Sequence, residues 1–260
     1  MGSLVHPKEK AYFAICLAFS VLVYLALIIS IVGLVYVVLA IPVILVSQGL
    51  FIGRLRGNAI PVSTRQFPEL HQLTTDLARK MEMSAPAVYV LESGGLLNAF
   101  ATRFLGRDFV VLYSDVLEAA YEQGEPAVAF VVAHELAHIK RGHLRWRWAV
   151  YPGMLIPFLG SAYMRACEYT CDRMAAHCRP DGAVPGLLLV AAGRQLYGRM
   201  SAHEYTRAFD ADSGFWTSFA EILSTHPHLP NRVRAVMKSG ATVTQASAPR
   251  SNRPPMAAAS

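Results

Sequence analysis

The sequence predicts an α+β protein in which a pair of apolar helices at the N-terminus precedes a mainly helical domain with a small sheet. Two observations lead to this fold class. Ala11 to Gly53 contains no charged residue, and the remaining chain mixes helical periodicity with three short apolar runs typical of strands. With 260 residues, of which 53% are hydrophobic, the chain has room for one domain in addition to membrane segments.

The long uncharged stretch predicts two membrane crossings. At about 1.5 Å per residue it would form a helix of roughly 64 Å, about twice a 30 Å hydrocarbon core. A break within Ser30 to Gly33 would fold it into a hairpin. A single tilted helix and a cleaved signal peptide fit less well, because a second apolar run follows without a distinct cleavage site. We expect an integral protein of a cell or inner membrane.

Charge gives the expected orientation of this hairpin. Lys8 and Lys10 precede it, and Arg54 and Arg56 follow it. Basic residues at both ends place both ends, and the domain after them, on the cytoplasmic side. The net charge of +6 suits an anionic bilayer surface. The basic residues are scattered rather than clustered, which argues against nucleic acid as a partner.

The rest of the chain divides into a domain over residues 58–240 and a tail over 241–260, after an N-terminal hairpin over 1–57. The tail lacks Leu, Ile and aromatic residues, so we expect it to be disordered. Local patterns predict helices over Phe67 to Met83, Ser114 to Tyr121 and Pro185 to Met200, strands over Ala87 to Leu91, Leu96 to Ala101 and Phe109 to Tyr113, and a turn at Gly94-Gly95.

A possible metal site lies in the run Ala127 to Ile139, which has no helix breaker. His134 and His138 are four residues apart, so on a helix they share one face and can bind one zinc ion. Glu135 would lie beside the metal, where it can accept a proton from water. The alternative is a pair of buried or capping histidines. The helical context favours zinc.

Two histidines leave a catalytic zinc one protein ligand short, and a Glu from a later helix is a usual third ligand. Glu168 and Asp172 form an acidic pair on one helical face, 34 residues after the first His. We expect Glu168 to complete the metal site. Asp172, one turn further on, could accept a hydrogen bond from a ligand imidazole and fix its tautomer.

A third apolar run, Trp148 to Met164, separates the two ligand segments. A single crossing here would put Glu168 and His134 on opposite sides of the membrane. The run must therefore be a re-entrant or interfacial loop, a short hairpin or part of the domain core. We favour a membrane-associated insert, with Trp146 and Trp148 as interface anchors.

The four cysteines leave two readings open. Cys167 and Cys171 are one helical turn apart near Glu168, so they could be alternative zinc ligands. Their spacing is not that of a zinc knuckle, which favours buried free thiols for these two and for Cys16 and Cys178. A cytosolic domain would keep them reduced.

Four motifs in order resemble the HtpX-type membrane zinc peptidases, which belong to the gluzincin group. They are Asn98-Ala99-Phe100-Ala101, His134 to His138, Glu168 to Asp172, and Ser224-Thr225-His226-Pro227 followed by Arg232. The resemblance covers roughly Phe67 to Met237. It implies a zincin-like metallopeptidase domain with one Zn²⁺ per chain, bound by His134, His138 and Glu168.

The resemblance also assigns roles outside the ligand set. It places Asn98, Ala99, Phe100 and Ala101 on or beside the strand that binds the substrate, where a peptide would add as a further strand. His226 would approach the zinc from the far side, either stabilising the tetrahedral intermediate or blocking the fourth zinc position in a resting state. Arg232 would order that segment by pairing with carboxylates. His143, His177 and His203 are read as surface or structural residues.

The expected function is a membrane-anchored zinc endopeptidase with Glu135 as general base. Its substrates would be membrane proteins or misfolded proteins, which implies a role in protein quality control. Two other functions stay open. One is an intramembrane protease whose third ligand is an Asp, for which Arg179-Pro180-Asp181-Gly182 is a weak match. The other is a catalytically silent membrane scaffold with a peptidase fold.

Overall fold

The computed structural model describes residues 2–92, 99–123 and 125–239. Over these ranges it is mostly helical with one four-stranded sheet, as the sequence predicts. The helices are α1 Pro7–Ile29, α2 Ile31–Asn58, α3 Pro68–Lys80, α4 Ser114–Gln123, α5 Glu125–Lys140, α6 His143–Met154, α7 Leu159–Cys178, α8 Ala183–Ala192, α9 Ala202–Asp212, α10 Phe215–Leu223 and α11 Leu229–Lys238. The strands are β1 Ile60–Pro61, β2 Ala87–Leu91, β3 Ala99–Phe104 and β4 Arg107–Tyr113.

The N-terminal apolar stretch is divided into α1 and α2 by the single extended residue Ser30, with φ −79° and ψ 124°. The Ser30 hydroxyl accepts a hydrogen bond from the backbone N–H of Gly33 at 3.2 Å and so caps α2. A Cβ at Gly33 would lie 2.5 Å from the carbonyl oxygen of Leu27, so a glycine is needed for this close approach. The predicted break is confirmed. By length and composition, both helices can cross a membrane.

Both outer ends of this helix pair meet the following domain. At the start of α1, the backbone N–H of His6 donates to the Thr170 hydroxyl of α7 at 2.9 Å. Further along the helix, Cys16 is completely buried in a cluster with Val150 of α6 and Tyr163 of α7. At the end of α2, Ile52 and Leu55 are buried against one face of the sheet. The two candidate membrane helices therefore begin and end on the same domain.

The sheet has the strand order β1-β2-β4-β3, with β2 and β4 parallel and the other pairs antiparallel. Side chains of β4 alternate between its two faces. Phe109 and Val111 face the end of α2, and Val110 and Leu112 face the main core. Strand β3 pairs with β4 on one side and forms an edge of the sheet on the other.

Helix α5 forms the centre of the main core. Ten of its residues, Ala127 to His134 together with Leu136 and Ala137, are buried. A helix that is apolar on all sides must be covered on all sides. Here α3, α4, α7 and α8 and the sheet supply the cover. The predicted helix is confirmed, and its position in the core fixes His134 and His138 against the rest of the domain.

The run Trp148 to Met164 forms the second half of α6, a short turn and the start of α7. The chain returns to the domain from which it left, because Glu168 of α7 lies beside His134 of α5. Trp146 and Trp148 are 44% and 43% exposed. The run therefore leaves and rejoins the same helical domain, and Trp146 and Trp148 near its start are partly exposed.

Some predicted boundaries differ from those observed. The helix predicted over Pro185 to Met200 runs instead from Ala183 to Ala192, because Gly193 has φ +77° and ends it. Strand β3 continues to Phe104, beyond the predicted end. The predicted turn at Gly94-Gly95, Leu96 to Asn98 of the predicted strand, and the tail over 241–260 lie outside the described residues.

The contact between α1 and α6 leads to a testable prediction. The Gly153 N–H donates to the Ser20 hydroxyl at 2.8 Å, and a Cβ at Gly153 would lie 2.2 Å from the carbonyl oxygen of Cys16. We expect Gly153→Ala to push the helices apart and destabilise the protein by about 1–3 kcal/mol. Thermal unfolding in detergent measures this effect. Gly57→Ala, with no atom within 4 Å of the new Cβ, is the control. Equal melting temperatures for the two variants would contradict the prediction.

Candidate metal centre

Three side chains from two core helices converge on one point. His134 and His138 lie on the same face of α5, and their Nε2 atoms are 3.3 Å apart. Glu168 of α7 faces both: its Oε2 is 3.4 Å from Nε2 of His134, and its Oε1 is 3.3 Å from Nε2 of His138. The three residues form one of the groups in the described part of the chain that could hold a metal ion.

The separations fit a metal ion such as zinc. Ligand bonds of about 2.0–2.1 Å at a tetrahedral angle bring neighbouring ligand atoms to about 3.3 Å from one another. The nitrogens and oxygens of His134, His138 and Glu168 are that far apart. All three can offer a lone pair to the same point, and in a buried site such atoms need a shared cation. The residues present therefore suit a divalent metal.

A buried carboxylate orients the first of these histidines. The Oδ1 of Asp172 is 2.9 Å from Nδ1 of His134, on the side of the ring away from Glu168. Burial opposes a charge on His134, but the hydrogen bonds that its ring donates to Asp172 and Glu168 outweigh this effect and raise its pKa to about 10. The surroundings thus favour positive charge at this point, whether a proton or a metal ion provides it.

Arg232 of α11 balances the negative charge of the two carboxylates, Asp172 and Glu168. Its guanidinium binds Asp172 through two hydrogen bonds of 2.7 and 2.8 Å, and its Nη1 is 3.3 Å from Oε2 of Glu168. Burial raises the pKa of each carboxyl group, yet Arg232 and His134 hold the pKa of Asp172 and of Glu168 below the usual range. The expected pairing of Arg232 with carboxylates is observed.

The second histidine has an outer partner that the sequence reading did not assign. Nδ1 of His138 lies 3.0 Å from Nδ1 of His143, and Nε2 of His143 lies 3.4 Å from Oε1 of Glu9. Of the two readings for His143, surface and structural, the first is wrong, because its side chain is 9% exposed. Two features of the sequence could have indicated this contact: His143 follows His138 by five residues, and Glu9 is the sole acid before Glu69. His177 and His203 are exposed.

Glu135 points from α5 to the edge of the sheet. The backbone N–H of Ala101, in β3, hydrogen-bonds to its carboxylate. Burial raises the pKa of Glu135 above the usual range for a glutamate, which makes it a better proton acceptor than an exposed carboxylate. The candidate base therefore lies between the metal ligands and the open edge of β3.

An open cavity of about 420 Å³ joins these elements. Ala99, Phe100 and Ala101 of β3 lie along it, as do the three candidate ligands and Glu135. His226 borders it as well, with its ring 60% exposed and its Nε2 3.6 Å from Oε1 of Glu168. The structure thus brings the predicted site residues to one cavity, apart from Asp172, which lies behind His134, and Asn98, which lies outside the described residues.

The alternative ligands lie outside the group of His134, His138 and Glu168, although Cys171 lies near His138 and His143, and Cys167 lies near Glu9 and His143. Cys167 and Cys171 are buried free thiols, and burial raises the pKa of both far above that of an ordinary cysteine. Asp181, the alternative third ligand, is bound by Arg179, which also pairs with Glu125 at the start of α5. That end of α5 is nine residues from His134.

The site combines a helix that carries HExxH, a Glu from a later helix and an adjacent strand edge. This combination is typical of a metal-dependent peptidase. Comparison with known families gives a narrower result: the chain belongs to peptidase family M48. The family model matches residues 64–159 and 149–239, which together make up more than half of the chain. Peptidase family M48 is a family of metallopeptidases.

One curated relative is the plastoglobule-localized metallopeptidase 48 of Arabidopsis thaliana chloroplasts. It is 28% identical over 156 residues, which cover 53% of this chain and 44% of the relative. The chain thus spans less than half the length of that protein. No solved structure matches.

The Arg232–Asp172 pair leads to a second prediction. Removing one partner of a buried ion pair leaves an uncompensated charge and typically costs about 3–5 kcal/mol. We expect Arg232→Gln to lower the free energy of unfolding by about that amount. Arg234→Gln, on the same helix, breaks a pair with the exposed Asp210 and should cost less than about 1 kcal/mol. Chemical denaturation of both variants measures the difference, and similar values for the two would refute it.

Proposed function

We propose that this protein is a membrane-anchored zinc endopeptidase of the HtpX type. The observation that carries the proposal is the convergence of His134, His138 and Glu168 to within 3.4 Å, with Glu135 beside them at the edge of β3. Zinc is proposed as the metal because two imidazoles and one carboxylate are a usual ligand set for a catalytic zinc.

Each side chain in the cavity has a proposed role. Zinc held by the three ligands would polarise the scissile carbonyl and acidify the attacking water. Glu135 takes the proton from that water and passes it to the leaving amine. Asp172 holds the Nδ1 proton of His134, so that Nε2 keeps its lone pair for the metal. His226 faces the ligands from the opposite wall and either stabilises the developing oxyanion or blocks the site at rest.

The substrate is proposed to bind as an extended strand along β3. Among the described strands, β3 is the outermost strand of the sheet, and Ala99 to Ala101 line the cavity. A peptide added there would pass directly in front of Glu135. Because such binding uses main-chain hydrogen bonds, it suits segments that can unfold, such as loops of membrane proteins or misfolded chains.

The two candidate membrane helices are proposed to anchor the domain to the cytoplasmic face of a cell or inner membrane. Both outer ends of the pair contact the domain, which agrees with an even number of crossings. Lys8, Arg54 and Arg56 supply the positive charge expected on that face. The division into a hairpin over 1–57 and a peptidase domain over 58–240 is part of this proposal.

The intramembrane alternative has less support, because Asp181 is bound to Arg179 rather than to the HExxH histidines. The alternative of a catalytically silent scaffold requires a protein that keeps all three metal ligands but does not cleave peptides. Membership of a metallopeptidase family and the position of Glu135 favour an active enzyme. Peptide cleavage by the wild type and by Glu135→Gln distinguishes an active enzyme from a silent scaffold.

The ligand assignment makes a prediction about metal content. Purified protein should hold about one zinc per chain, and chelators should abolish cleavage of an unfolded protein substrate. His134→Ala, His138→Ala and Glu168→Ala should each lose zinc and activity together. Cys171→Ala, beside the site but not among the proposed ligands, is the control and should retain zinc. Full zinc occupancy in Glu168→Ala would remove that residue from the ligand set.

The assignment of Glu135 and His226 makes a further prediction. Both Glu135→Gln and His226→Ala should retain zinc, since neither is a ligand. Glu135→Gln should lower turnover by about 10²–10⁴-fold, because it lacks the proton acceptor. His226→Ala should lower turnover by about 10²–10³-fold if His226 stabilises the oxyanion. It should leave activity equal or raised if His226 blocks the resting site. Zinc content and cleavage measured on the same samples distinguish these results; loss of zinc in both would mean that the site is wrongly assigned.

The anchoring proposal predicts a topology. Cysteines introduced at Lys8, Arg56 and His203 should react with an impermeant reagent from the cytoplasmic side, and a cysteine at Ile31 should react from the opposite side. The background for this labelling is the protein with its four buried cysteines replaced. Labelling of positions 8 and 56 from opposite faces would contradict the hairpin.

A further inference from the structure

The first candidate membrane helix contributes a buried acid to the metal centre. Glu9 is 3% exposed although it lies between the exposed Lys8 and Lys10. Its Oε1 accepts hydrogen bonds of 2.7 and 3.1 Å from Arg141, at the end of α5. Its Oε2 is hydrogen-bonded to the Thr170 hydroxyl of α7. The carboxylate is thus held between the two helices that carry the candidate ligands.

The chain of contacts from Glu9 to the metal passes through His143. Its Nε2 is 3.4 Å from Oε1 of Glu9, and its Nδ1 is 3.0 Å from Nδ1 of His138. Nε2 of His138 is the atom that faces Glu168 and His134. Each imidazole in this row therefore uses both nitrogens, one on either side of the ring.

The chemistry of Glu9, His143 and His138 determines which group donates each hydrogen bond between them. A carboxylate only accepts, so Nε2 of His143 must donate to Glu9. Neutral His143 then has a lone pair on Nδ1 and accepts the Nδ1 proton of His138. Nε2 of His138 is left with its lone pair directed at the metal point. The arrangement matches that of His134, whose Nδ1 is bound by Asp172 and, behind it, Arg232.

We propose that Glu9 and His143 are positioning residues for the metal ligand His138, and that the first apolar helix is therefore part of the metal centre as well as an anchor. This proposal rests on the proposed function, since it assumes that His138 binds zinc. Outer partners of ligand histidines typically contribute roughly 10–100-fold to metal affinity. Glu9 and His143 should contribute that much jointly, because one acts through the other.

A double-mutant cycle tests the proposal. Glu9→Gln, His143→Ala and the double variant are purified as full chains in detergent. The zinc dissociation constant is measured by competition with a chromophoric chelator, and the melting temperature of the metal-free form is measured alongside. We expect each single variant to weaken zinc binding roughly 10–100-fold, and the double variant to be no weaker than the worse single variant. Glu82→Gln, which removes an exposed acid, should leave the affinity unchanged.

The outcomes separate positioning from folding. Unchanged zinc affinity in both single variants would overturn the proposal, and so would losses that add fully in the double variant. If Glu9→Gln lowers the melting temperature because Arg141 loses its partner, Glu9→Gln combined with Arg141→Gln removes both charges and should show the same zinc loss. A wild-type protein that binds no zinc would refute the proposed function itself, which is a distinct result.

A second surface of the protein, formed by exposed apolar side chains, suits contact with a bilayer. None of the residues of α10 is buried, and its apolar side exposes Phe215, Trp216, Phe219, Ile222 and Leu223. The Ser161 hydroxyl lies 2.8 Å from the carbonyl oxygen of Ile222 and 3.1 Å from that of Phe158, so α10 ends beside the turn between α6 and α7. That turn exposes Leu155 and Phe158, next to Tyr151 and Trp148 of α6. The exposed apolar side chains thus continue from α6 through the turn to α10.

A link to the first candidate membrane helix identifies the occupant of this surface. The Tyr24 hydroxyl donates to the carbonyl oxygen of Trp148 at 2.5 Å, so α6 packs along one side of α1, while the other sides of α1 are exposed and apolar. Glu221, the one acid of α10, faces inward and accepts hydrogen bonds from His228 and Asn231. An uninterrupted apolar and aromatic side of this kind suits the lipid interface.

We infer that α10 lies against the same bilayer as α1 and α6 and so holds the metal centre close to it; this inference rests on the proposed anchoring. Trp216 can report on it in Trp146→Phe/Trp148→Phe protein, reconstituted in phosphatidylcholine vesicles. Emission should be blue-shifted and quenched by lipids brominated near the headgroup. Trp216→Phe protein reports separately on Trp146 and Trp148.

Two results would overturn this inference. Emission from Trp216 that is red-shifted and unquenched would place α10 in water, and blue-shifted emission without quenching by brominated lipid would indicate a second copy or another protein as the occupant. If Trp146 and Trp148 are quenched while Trp216 is not, the anchoring holds and the contact of α10 fails. Protein that does not incorporate into vesicles at all would refute the anchoring.

Discussion

The structure depends on one electrostatic requirement: three lone-pair donors face one another across 3.3–3.4 Å in a buried site. The Nε2 atoms of His134 and His138 and the carboxylate of Glu168 can stay this close only if a positive charge lies between them, and a proton or a metal ion can provide it. Two core helices must be rigid for these atoms to stay so close. The buried, all-apolar surface of α5 and its contacts with α7 provide that rigidity.

A second set of charges around the ligands keeps the site electrically balanced. Asp172 and Glu168 would be costly to bury alone, and Arg232 reaches both. Glu9 would be costly for the same reason and is held by Arg141. Each ligand histidine thus has a carboxylate and an arginine behind it, with His143 inserted on one side. The repeated arrangement explains why charged groups from α1, α5, α7 and α11 meet in one core.

The same balance connects the anchor with the chemistry. A membrane helix that only tethered the domain would not need a buried acid at its start. Glu9 reaches the end of α5 and the middle of α7, while Gly153 and Ser20 bring α6 into backbone contact with α1. Movement of α1 relative to the domain would therefore disturb the partners of His138. In the proposed anchoring, these contacts would couple the membrane environment to the geometry of the site.

The sequence by itself determined the features that depend on local spacing. Four-residue spacing put His134 and His138 on one face of a helix, and an unbroken apolar run determined that the helix lies in the core. The charge-free stretch determined α1 and α2, with the break at Ser30. The acidic spacing of Glu168 and Asp172 determined that they share a face. Each of these features follows from periodicity within one element.

Only the tertiary structure decided which elements meet. Glu9 and His143 are 134 residues apart, and no periodicity relates an acid between two lysines to a histidine beyond the HExxH helix. The exposed side of α10 and its place beside the turn after α6 likewise depend on packing between helices distant in sequence. Such contacts arise when several apolar faces are buried together, and their partners are fixed by that joint packing rather than by the local pattern of either segment.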